Sequence, residues 1–232
     1  MKFVNEPSLD LTILMPCRNE EGAVGISVAE ALSFIRENGL LAEVLVIDNN
    51  STDLSVQEAL KAGAVTEHEG KKGYGAALIK GISLSKGKVI IFGDCDTTYD
   101  FYDLNGFYEP LKTKKYDIMI GNRLNKNAQK GAMKVSHLVG VKVLSWLGRL
   151  RYGTDVSDFH CGLRGLTRQA AQCMELKAAG MEFATEFIGE AVKKGLSIGQ
   201  TDIVLRKSRA PRRSKLKPVT DAIRHLRLMF GR

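Results

Sequence analysis

The feature of this sequence that most constrains its fold is an alternation of short apolar runs with amphipathic segments. The apolar runs predict strands at Leu11–Pro16, Glu43–Asp48, Lys88–Gly93, Asp117–Gly121 and Ser197–Leu205. The intervening patterns predict helices at Glu20–Asn38, after a Ser51 N-cap, and at Gly73–Ser85, Asp103–Leu111, Gly165–Leu176 and Met181–Lys194. Polar Asn122–Met133 is typical of a loop. Strands and helices in this order predict an α/β fold with a mostly parallel sheet and helices on both faces.

Length and composition favour one domain of ordinary size. The chain has 232 residues, of which 44% are hydrophobic, so it can bury a sizeable core. Its four cysteines are far apart and form no C-x-x-C pair, which is typical of a reducing compartment without a structural zinc site. No signal-peptide pattern or membrane-spanning apolar stretch is visible, so we expect a cytoplasmic protein.

The basic charge is concentrated at the C-terminal end. Residues 206–232 contain ten basic residues and one acidic residue, whereas residues 1–205 carry 24 basic and 25 acidic residues. We therefore divide the chain into a main domain, 1–205, and a basic tail, 206–232. The near-neutral domain and an aromatic content of 7% disfavour nucleic-acid binding. The tail has an apolar helical stripe at Val219, Ile223, Leu226 and Phe230, which predicts either an interfacial helix on anionic lipid or a helix packed on the domain.

Polar residues follow the predicted strands, where open parallel sheets bind their ligands. Asp94 and Asp96 follow a hydrophobic strand and would point to the same side, where two carboxylates repel unless a cation lies between them. Carboxylates with substrate phosphates suit Mg²⁺ or Mn²⁺. The alternative is a turn with two capping side chains. Asp48, Asp53 and Glu20 equally suit helix capping or ligand binding.

Two further segments contain candidate binding residues. Lys72 and Gly73 lie in a glycine-rich stretch before a predicted helix, an arrangement that can bind phosphate. The segment from Asp158 to Arg164 has adjacent His160 and Cys161, and that adjacency disfavours a catalytic Cys/His dyad. No hydrolase motif is present.

Taken in order, these motifs resemble family 2 glycosyltransferases, and most closely the polyprenyl-phosphate sugar synthases of the dolichol-phosphate mannose and glucose type. The resemblance spans about Leu11 to Lys217. It rests on Pro16-Cys-Arg-Asn-Glu20, Val46-Ile-Asp48-Asn-Asn-Ser-Thr-Asp53, Gly73-Tyr-Gly75-Ala-Ala-Leu, Asp94-Cys-Asp96, Gly121-Asn-Arg123, Asp158-Phe-His-Cys-Gly-Leu-Arg164, Met181-Glu-Phe-Ala-Thr-Glu186 and Arg212-Arg-Ser-Lys215.

The resemblance implies a GT-A fold and inverting transfer of a hexose from a nucleotide sugar, GDP-mannose or UDP-glucose, with Mg²⁺ or Mn²⁺ as cofactor. Asp94 and Asp96 would hold the metal, with Thr98 at a position where many relatives have Gln. The expected nucleotide-sugar contacts are Pro16, Arg18, Glu20, Asp48, Asp53, Lys72, Gly73, Asp94, Cys95 and Asp96. Asp96, Asp158 and Arg123 are the catalytic candidates.

The acceptor implied by the resemblance is a polyprenyl phosphate, bound by Arg123, Arg212, Arg213, Ser214 and Lys215. A phosphate acceptor needs orientation more than a base, whereas a sugar hydroxyl would need one, with Asp158 as the candidate. The alternative for Asp158 is an ion pair with Arg164 that shapes the loop. The resemblance implies a peripheral protein on the cytoplasmic face of an anionic membrane, with a membrane-anchoring subunit as a further partner. A relative that transfers to a saccharide remains the alternative.

Overall fold

A seven-stranded sheet forms the centre of the protein. The computed structural model describes residues 8–125, 135–209 and 218–231. The strands are β1 Leu9–Cys17, β2 Ala42–Asp48, β3 Val65–His68, β4 Gly87–Phe92, β5 Ile118–Asn122, β6 Arg164–Thr167 and β7 Ile198–Asp202. Their order is β3-β2-β1-β4-β6-β5-β7, and only β6 runs antiparallel to its neighbours.

Eight helices are described around the sheet: α1 Val24–Glu37, α2 Ser55–Lys61, α3 Tyr74–Leu84, α4 Asn105–Lys112, α5 Val135–Tyr152, α6 Arg168–Cys173, α7 Phe183–Lys193 and α8 Pro218–Phe230. In β1, the consecutive residues from Leu11 to Met15 are all buried. Successive strand side chains point to opposite faces, so both faces of the sheet are covered. The predicted α/β architecture is therefore confirmed.

The predicted strands are present, with shifted ends; the last ends at Asp202 rather than Leu205. Strand β3 was not predicted, because its four residues are partly exposed and carry no apolar run. Helix α5 was not predicted either. The predicted loop Asn122–Met133 overlaps the end of β5, and its residues 126–133 lie outside the described residues.

Local hydrogen bonds account for two predicted helix starts that are wrong. The Gly165–Leu176 helix begins only at Arg168, because Thr167 caps it by accepting a hydrogen bond from the Ala170 amide at 3.1 Å. The preceding residues form β6, which inserts between β4 and β5. Ser51 is not an N-cap, since α2 begins at Ser55 and the Ser51 hydroxyl accepts from the Asn19 amide instead.

The helix predicted from Glu20 begins at Val24. The helix predicted in the tail is confirmed as α8, which packs on α5 and α7. Among the described side chains of α8, Asp221, His225 and Met229 are buried, whereas Ile223, Leu226 and Phe230 of the predicted apolar stripe are exposed. The side chain of Val219, the first residue of that stripe, lies outside the described part. None of the helices in the described part of the chain has the length and apolar character needed to cross a membrane.

Candidate active site

The carboxyl ends of three neighbouring strands bring the central candidates to one edge of the sheet. Strand β1 pairs in parallel with β2, so that Cys17 lies opposite Asp48, and with β4 on its other side. The Gly93 amide donates to the Leu14 carbonyl at 3.1 Å, which continues the β1–β4 pairing toward Asp94. Since β6 is antiparallel, its first residue, Arg164, reaches the same edge opposite Phe92.

The turn that contains Asp94 and Asp96 is held tightly. The Asp96 Oδ1 accepts from the Thr98 amide at 3.0 Å and from the Thr98 hydroxyl at 2.5 Å. Thr97 has φ of 64°, a left-handed conformation that costs a β-branched residue about 1–3 kcal/mol. Such strain persists only where surrounding contacts impose it, and the Thr97 hydroxyl accepts from the Arg209 amide at 2.8 Å.

Asp94 contacts Tyr74 of α3 and lies close to Gly162. The Tyr74 hydroxyl hydrogen-bonds to Asp94. Burial is the main cause that raises the pKa of Tyr74 well above its usual value, and the negative charge of Asp94 is the second. A Cβ on Gly162 would lie 2.9 Å from the Asp94 Oδ2 and 3.0 Å from the Tyr99 hydroxyl. The turn is thus in close contact with the loop formed by residues 158–164, hereafter the 158–164 loop.

The donor set at this turn fits a hard divalent cation. Asp94 and Asp96 supply carboxylate oxygens, and no group of three or more His, Cys, Asp or Glu in the described ranges is arranged to hold a metal. Mg²⁺ and Mn²⁺ need only one or two protein carboxylates when substrate phosphates and water complete the shell. The Thr98 hydroxyl donates to Asp96, so in this conformation it orients the carboxylate.

Among the candidates at the ends of β1 and β2, Asp48 and Asp53 have carboxylates that form hydrogen bonds within the protein. The Asp48 Oδ2 lies 3.0 Å from the His68 Nδ1, and its Oδ1 accepts from the Ser51 amide. Burial alone would raise the pKa of Asp48, but the hydrogen bonds from Ser51 and His68 hold it below its usual value. Asp53 accepts from the Ser55 amide and hydroxyl and from the Glu21 amide, so it joins the β1 and β2 loops.

The candidates Arg18, Glu20 and Cys95 follow strands that end at the same edge, but their side chains differ in exposure. The Arg18 side chain is exposed, and Glu20 is half-buried, with its amide donating to Ser55 at 2.7 Å. The Cys95 side chain points into the protein, where its thiol donates to the Pro16 carbonyl at 3.4 Å. A ligand at this edge would therefore meet the main chain of Cys95 and not its sulfur.

In the glycine-rich segment before α3, three main-chain amides that could have faced a phosphate form hydrogen bonds within the protein instead. The Gly73 amide donates to Asn49 at 2.8 Å, and the Gly75 and Ala76 amides donate to the carbonyls of residues 180 and 179. A Cβ on Gly75 would overlap the Ala178 carbonyl oxygen. These three amides are thus already satisfied by the protein, whereas the Lys72 side chain is exposed.

Asp158 pairs with Arg123, not with Arg164. The Arg123 Nε and Nη2 donate to the two carboxylate oxygens at 2.7 and 2.8 Å, and both side chains are buried. Burial alone would raise the pKa of Asp158, but Arg123 and the His160 amide hold it below its usual value. A carboxylate with a low pKa and no solvent contact is a weak base near neutrality. This geometry does not fit the base role expected for Asp158, and it leaves the Arg123 guanidinium engaged.

Arg164 is a fully buried cation that shapes the 158–164 loop. Its guanidinium donates to the carbonyls of Cys161, Ala184 and Phe159 at 2.7–2.8 Å. These bonds connect the loop to α7 and fix its path against the Asp94 turn.

The His160 ring in the same loop is stacked edge-on against His225 of α8, with ring centroids 4.5 Å apart. Burial lowers the pKa of His160 well below its usual value. Both ring nitrogens are buried and have no hydrogen-bond partner within the described ranges.

The start of the tail contacts the Asp94–Asp96 turn directly. The Ser208 hydroxyl donates to the Asp96 carbonyl at 2.9 Å, and Arg206 forms ion pairs with Glu30 and Asp100. Arg209 also pairs with Glu30, at 3.2 Å. The buried Glu30 was not recognised from the sequence, because it lies mid-helix without a motif. Arg212, Arg213, Ser214 and Lys215 lie outside the described residues.

The site also depends on Asn49, Tyr74 and Tyr99, whose contributions are not expected from the sequence alone. Asn49 donates to the carbonyls of Glu69 and Lys71 and thereby fixes the segment before α3. Its position immediately after β2 was the available signal. The Tyr99 hydroxyl accepts from the Gly162 amide at 2.8 Å, a contact between distant segments that no local pattern predicts.

Comparison with known proteins agrees with this architecture. The model of the family "Glycosyl transferase family 2" matches residues 12–174. The low-salt glycan biosynthesis hexosyltransferase Agl6 of Haloferax volcanii is 33% identical over 223 residues, which cover 95% of this chain and 53% of that protein. The chain thus spans about half the length of this relative. The dolichyl-phosphate hexose transferase of the same organism is 28% identical, over 85% of this chain and 83% of that protein.

Among solved structures, glucosyl-3-phosphoglycerate synthase from Mycobacterium tuberculosis, in complex with Mn²⁺, UDP and glucosyl-3-phosphoglycerate, superposes with a TM-score of 0.76. The match covers 97% of this chain and 81% of that chain at 20% identity. The GT-A fold is thereby confirmed. The family model and the sequence relatives together show that this chain belongs to glycosyltransferase family 2.

Proposed function

We propose that this chain is the catalytic part of an inverting, metal-dependent hexosyltransferase that moves a hexose from a nucleotide sugar to a polyprenyl phosphate. The observation that carries the proposal is the convergence of Asp48 and the Asp94–Asp96 turn at one sheet edge, opposite the 158–164 loop. The relatives named as a hexosyltransferase and a dolichyl-phosphate hexose transferase support this substrate class.

The donor would bind across the ends of β1, β2 and β4. Asp48 and the main chain around Pro16 and Arg18 would contact the nucleoside, and Lys72, whose side chain is exposed, would contact phosphate. Asp94 and Asp96 would hold Mg²⁺ or Mn²⁺, which would neutralise charge on the departing nucleoside diphosphate. The solved relative contains Mn²⁺ and UDP, which supports a divalent ion and a nucleotide donor here.

The residues of the 158–164 loop would position substrates without taking part in proton transfer. The Arg123–Asp158 pair holds the loop to the end of β5, and Arg164 holds it to α7. A phosphate acceptor is already anionic near neutrality, so its attack needs orientation and no base. Arg212, Arg213, Ser214 and Lys215 would supply that orientation, an assignment that rests on the family resemblance.

The acceptor lipid would be used at the cytoplasmic face of an anionic membrane, with the protein bound peripherally. The concentration of ten basic residues in 206–232 supports an anionic surface as the binding partner. A membrane-anchoring subunit is compatible with this arrangement.

The proposal is tested by incubating the protein with Mg²⁺ or Mn²⁺, polyprenyl phosphate and a panel of nucleotide sugars, followed by extraction of lipid products. We expect a lipid-linked hexose from one donor, GDP-mannose or UDP-glucose first. Asp96→Asn should abolish the product, and Asp155→Asn is the matched control because it removes the same charge from an exposed position. Absence of lipid-linked sugar from every donor would refute the proposal.

A second experiment distinguishes a polyprenyl phosphate acceptor from a saccharide acceptor. Replacing Arg212, Arg213 and Lys215 together with Ala should abolish transfer to polyprenyl phosphate while donor binding persists. Transfer to a water-soluble saccharide that survives this replacement would instead identify the protein as a family member with a hydroxyl acceptor.

A further inference from the structure

The outer sides of α5 and α8 carry two apolar stripes that remain exposed among the residues that the structure describes. The stripe residues have exposed fractions from 37% to 65% and comprise Val139, Val143, Trp146 and Leu150 of α5 with Ile223, Leu226 and Phe230 of α8. On each helix they recur at spacings of three and four, so each set forms one face. We propose that these seven residues form a single docking face for an anionic lipid leaflet.

The two stripes are distinct from the core-facing sides of the same helices. On α5 the buried side chains include Val141 and Ser145, and on α8 they are Asp221, His225 and Met229. The helices contact each other, and the Arg151 Nε donates to the Met229 carbonyl at 2.7 Å. Each helix is therefore packed on one side and apolar on the other. Exposed apolar side chains grouped on one helix face are typical of an interaction site.

The charges around the docking face fit an anionic leaflet. Lys142, Arg151, Arg224 and Arg227 are exposed on the two helices. The sequence of these helices contains one acidic residue, Asp221, which is buried with Arg224 3.8 Å away. Apolar residues with a basic border and an aromatic side chain are the features by which helices bind at a membrane interface. A second copy is disfavoured, because a symmetric contact through this face would bring basic borders together.

Both helices are attached to the 158–164 loop. The Phe159 amide donates to the Ser145 hydroxyl of α5 at 3.1 Å, and His160 stacks on His225 of α8. A leaflet bound at the docking face would therefore hold this loop, and with it the Asp94 turn, in a fixed relation to the membrane. In its link to the acceptor this inference rests on the proposed function, since a polyprenyl phosphate carries its reacting group at the membrane surface.

The experiment uses the single tryptophan, Trp146, as a probe located in the docking face. Phosphatidylcholine vesicles with and without phosphatidylglycerol are added to the whole chain in the absence of any sugar donor or acceptor. We expect a blue shift of Trp146 emission and co-sedimentation, both stronger with the anionic vesicles. Replacing Lys142 and Arg227 with Gln should weaken this binding about fivefold per removed charge.

A paired variant tests the apolar part. Val143→Asp with Ile223→Asp should weaken vesicle binding by about tenfold or more. Leu41→Asp with Leu60→Asp is the matched control, because these leucines are comparably exposed elsewhere, and it should bind like the unchanged chain. Three results would each overturn the proposal. The first is an equal loss of vesicle binding in both pairs, and the second is an unshifted Trp146 spectrum with every vesicle. The third is a dimer of the unchanged chain that is absent in the Val143 and Ile223 variant.

A transfer assay separates this inference from the proposed function. The Val143 and Ile223 variant should lose transfer to long-chain polyprenyl phosphate in vesicles but retain transfer to a short-chain, water-soluble polyprenyl phosphate. Equal loss with both acceptors would overturn the orienting role. If no acceptor is used by any variant, the proposed function fails, while vesicle binding still decides whether the docking face exists.

Discussion

Replacing Asp158 with Asn removes a buried negative charge while preserving the size of the side chain. In the native protein this carboxylate accepts from the Arg123 Nε and Nη2 at 2.7 and 2.8 Å and from the His160 amide at 3.0 Å. The substitution leaves the Arg123 guanidinium buried without its counter-charge. Breaking a buried pair in this way costs about 3–5 kcal/mol. Because domains are stable by only about 5–15 kcal/mol, we expect a large shift in unfolding.

The assay is urea unfolding followed by circular dichroism, with Asp155→Asn as the control because Asp155 is exposed. Asp158→Asn should lower the free energy of unfolding by about 3 kcal/mol, with an unchanged slope against urea. Adding Arg123→Met should recover part of the loss, since the double variant buries no unpaired charge. At low temperature the folded single variant should keep transfer to polyprenyl phosphate within about tenfold.

The opposite pattern would refute this reasoning. If Asp158→Asn retained full stability but lost transfer by about a thousandfold or more, and the acidic limb of the pH profile disappeared, Asp158 would be a general base. The pairing with Arg123 would then be a resting arrangement that substrate replaces.

Three further outcomes follow from the same geometry. Asp96→Asn should eliminate the divalent-metal dependence of nucleotide binding, measured by calorimetry with and without Mn²⁺. Glu30→Gln removes the buried carboxylate shared by Arg206 and Arg209, so proteolysis within 206–217 should accelerate. Burial lowers the pKa of His225 to about 4 from 6.5, so the unfolded state binds the proton first. Stability should therefore decline by about 3 kcal/mol as pH falls from 6.5 to 4, and less in His225→Gln.

Each of these outcomes has a contrary result. Unchanged Mn²⁺ dependence in Asp96→Asn would exclude Asp96 from the metal site, and Asp155→Asn controls for loss of charge. Equal proteolysis of Glu30→Gln and Glu37→Gln, an exposed control on the same helix, would show that the buried carboxylate does not hold the tail. Identical pH profiles for His225→Gln and the native chain would assign the decline to another group, such as the neighbouring His160, whose pKa is also lowered by burial.

The meeting of polar residues at the strand ends could be predicted from sequence because it depends on local order. An apolar run followed by Asp94 and Asp96 indicates a buried strand that ends in carboxylates, and parallel strands end at one edge. The start of α3 shows where this logic fails. Gly73 and Gly75 resemble an anion-binding loop, but residues 178–180, about a hundred positions away, fill the space and accept from the Gly75 and Ala76 amides. Such a long-range contact leaves no local signal.

The side chains of α5 and α8 show a second limit of periodicity. The spacing of Ile223, Leu226 and Phe230 correctly predicts a helix with one apolar face, yet that face is exposed and the helix packs through His225 and Met229. Periodicity identifies which side of a helix is apolar but not what covers it. The sequence therefore left an interfacial helix and a packed helix as alternatives, whereas in the structure α8 is packed on one side and exposed on its apolar side.

The pairing of Asp158 bears on the class of acceptor. A sugar hydroxyl must lose its proton as it attacks, so its transfer depends on a base with a pKa near the working pH. Asp158, buried against Arg123 with a lowered pKa, does not meet that requirement. A phosphate monoester has a second pKa of about 6 and reaches neutral pH already anionic. The geometry thus favours the phosphate acceptor, and the transfer rate should follow ionisation of the acceptor phosphate and not that of Asp158.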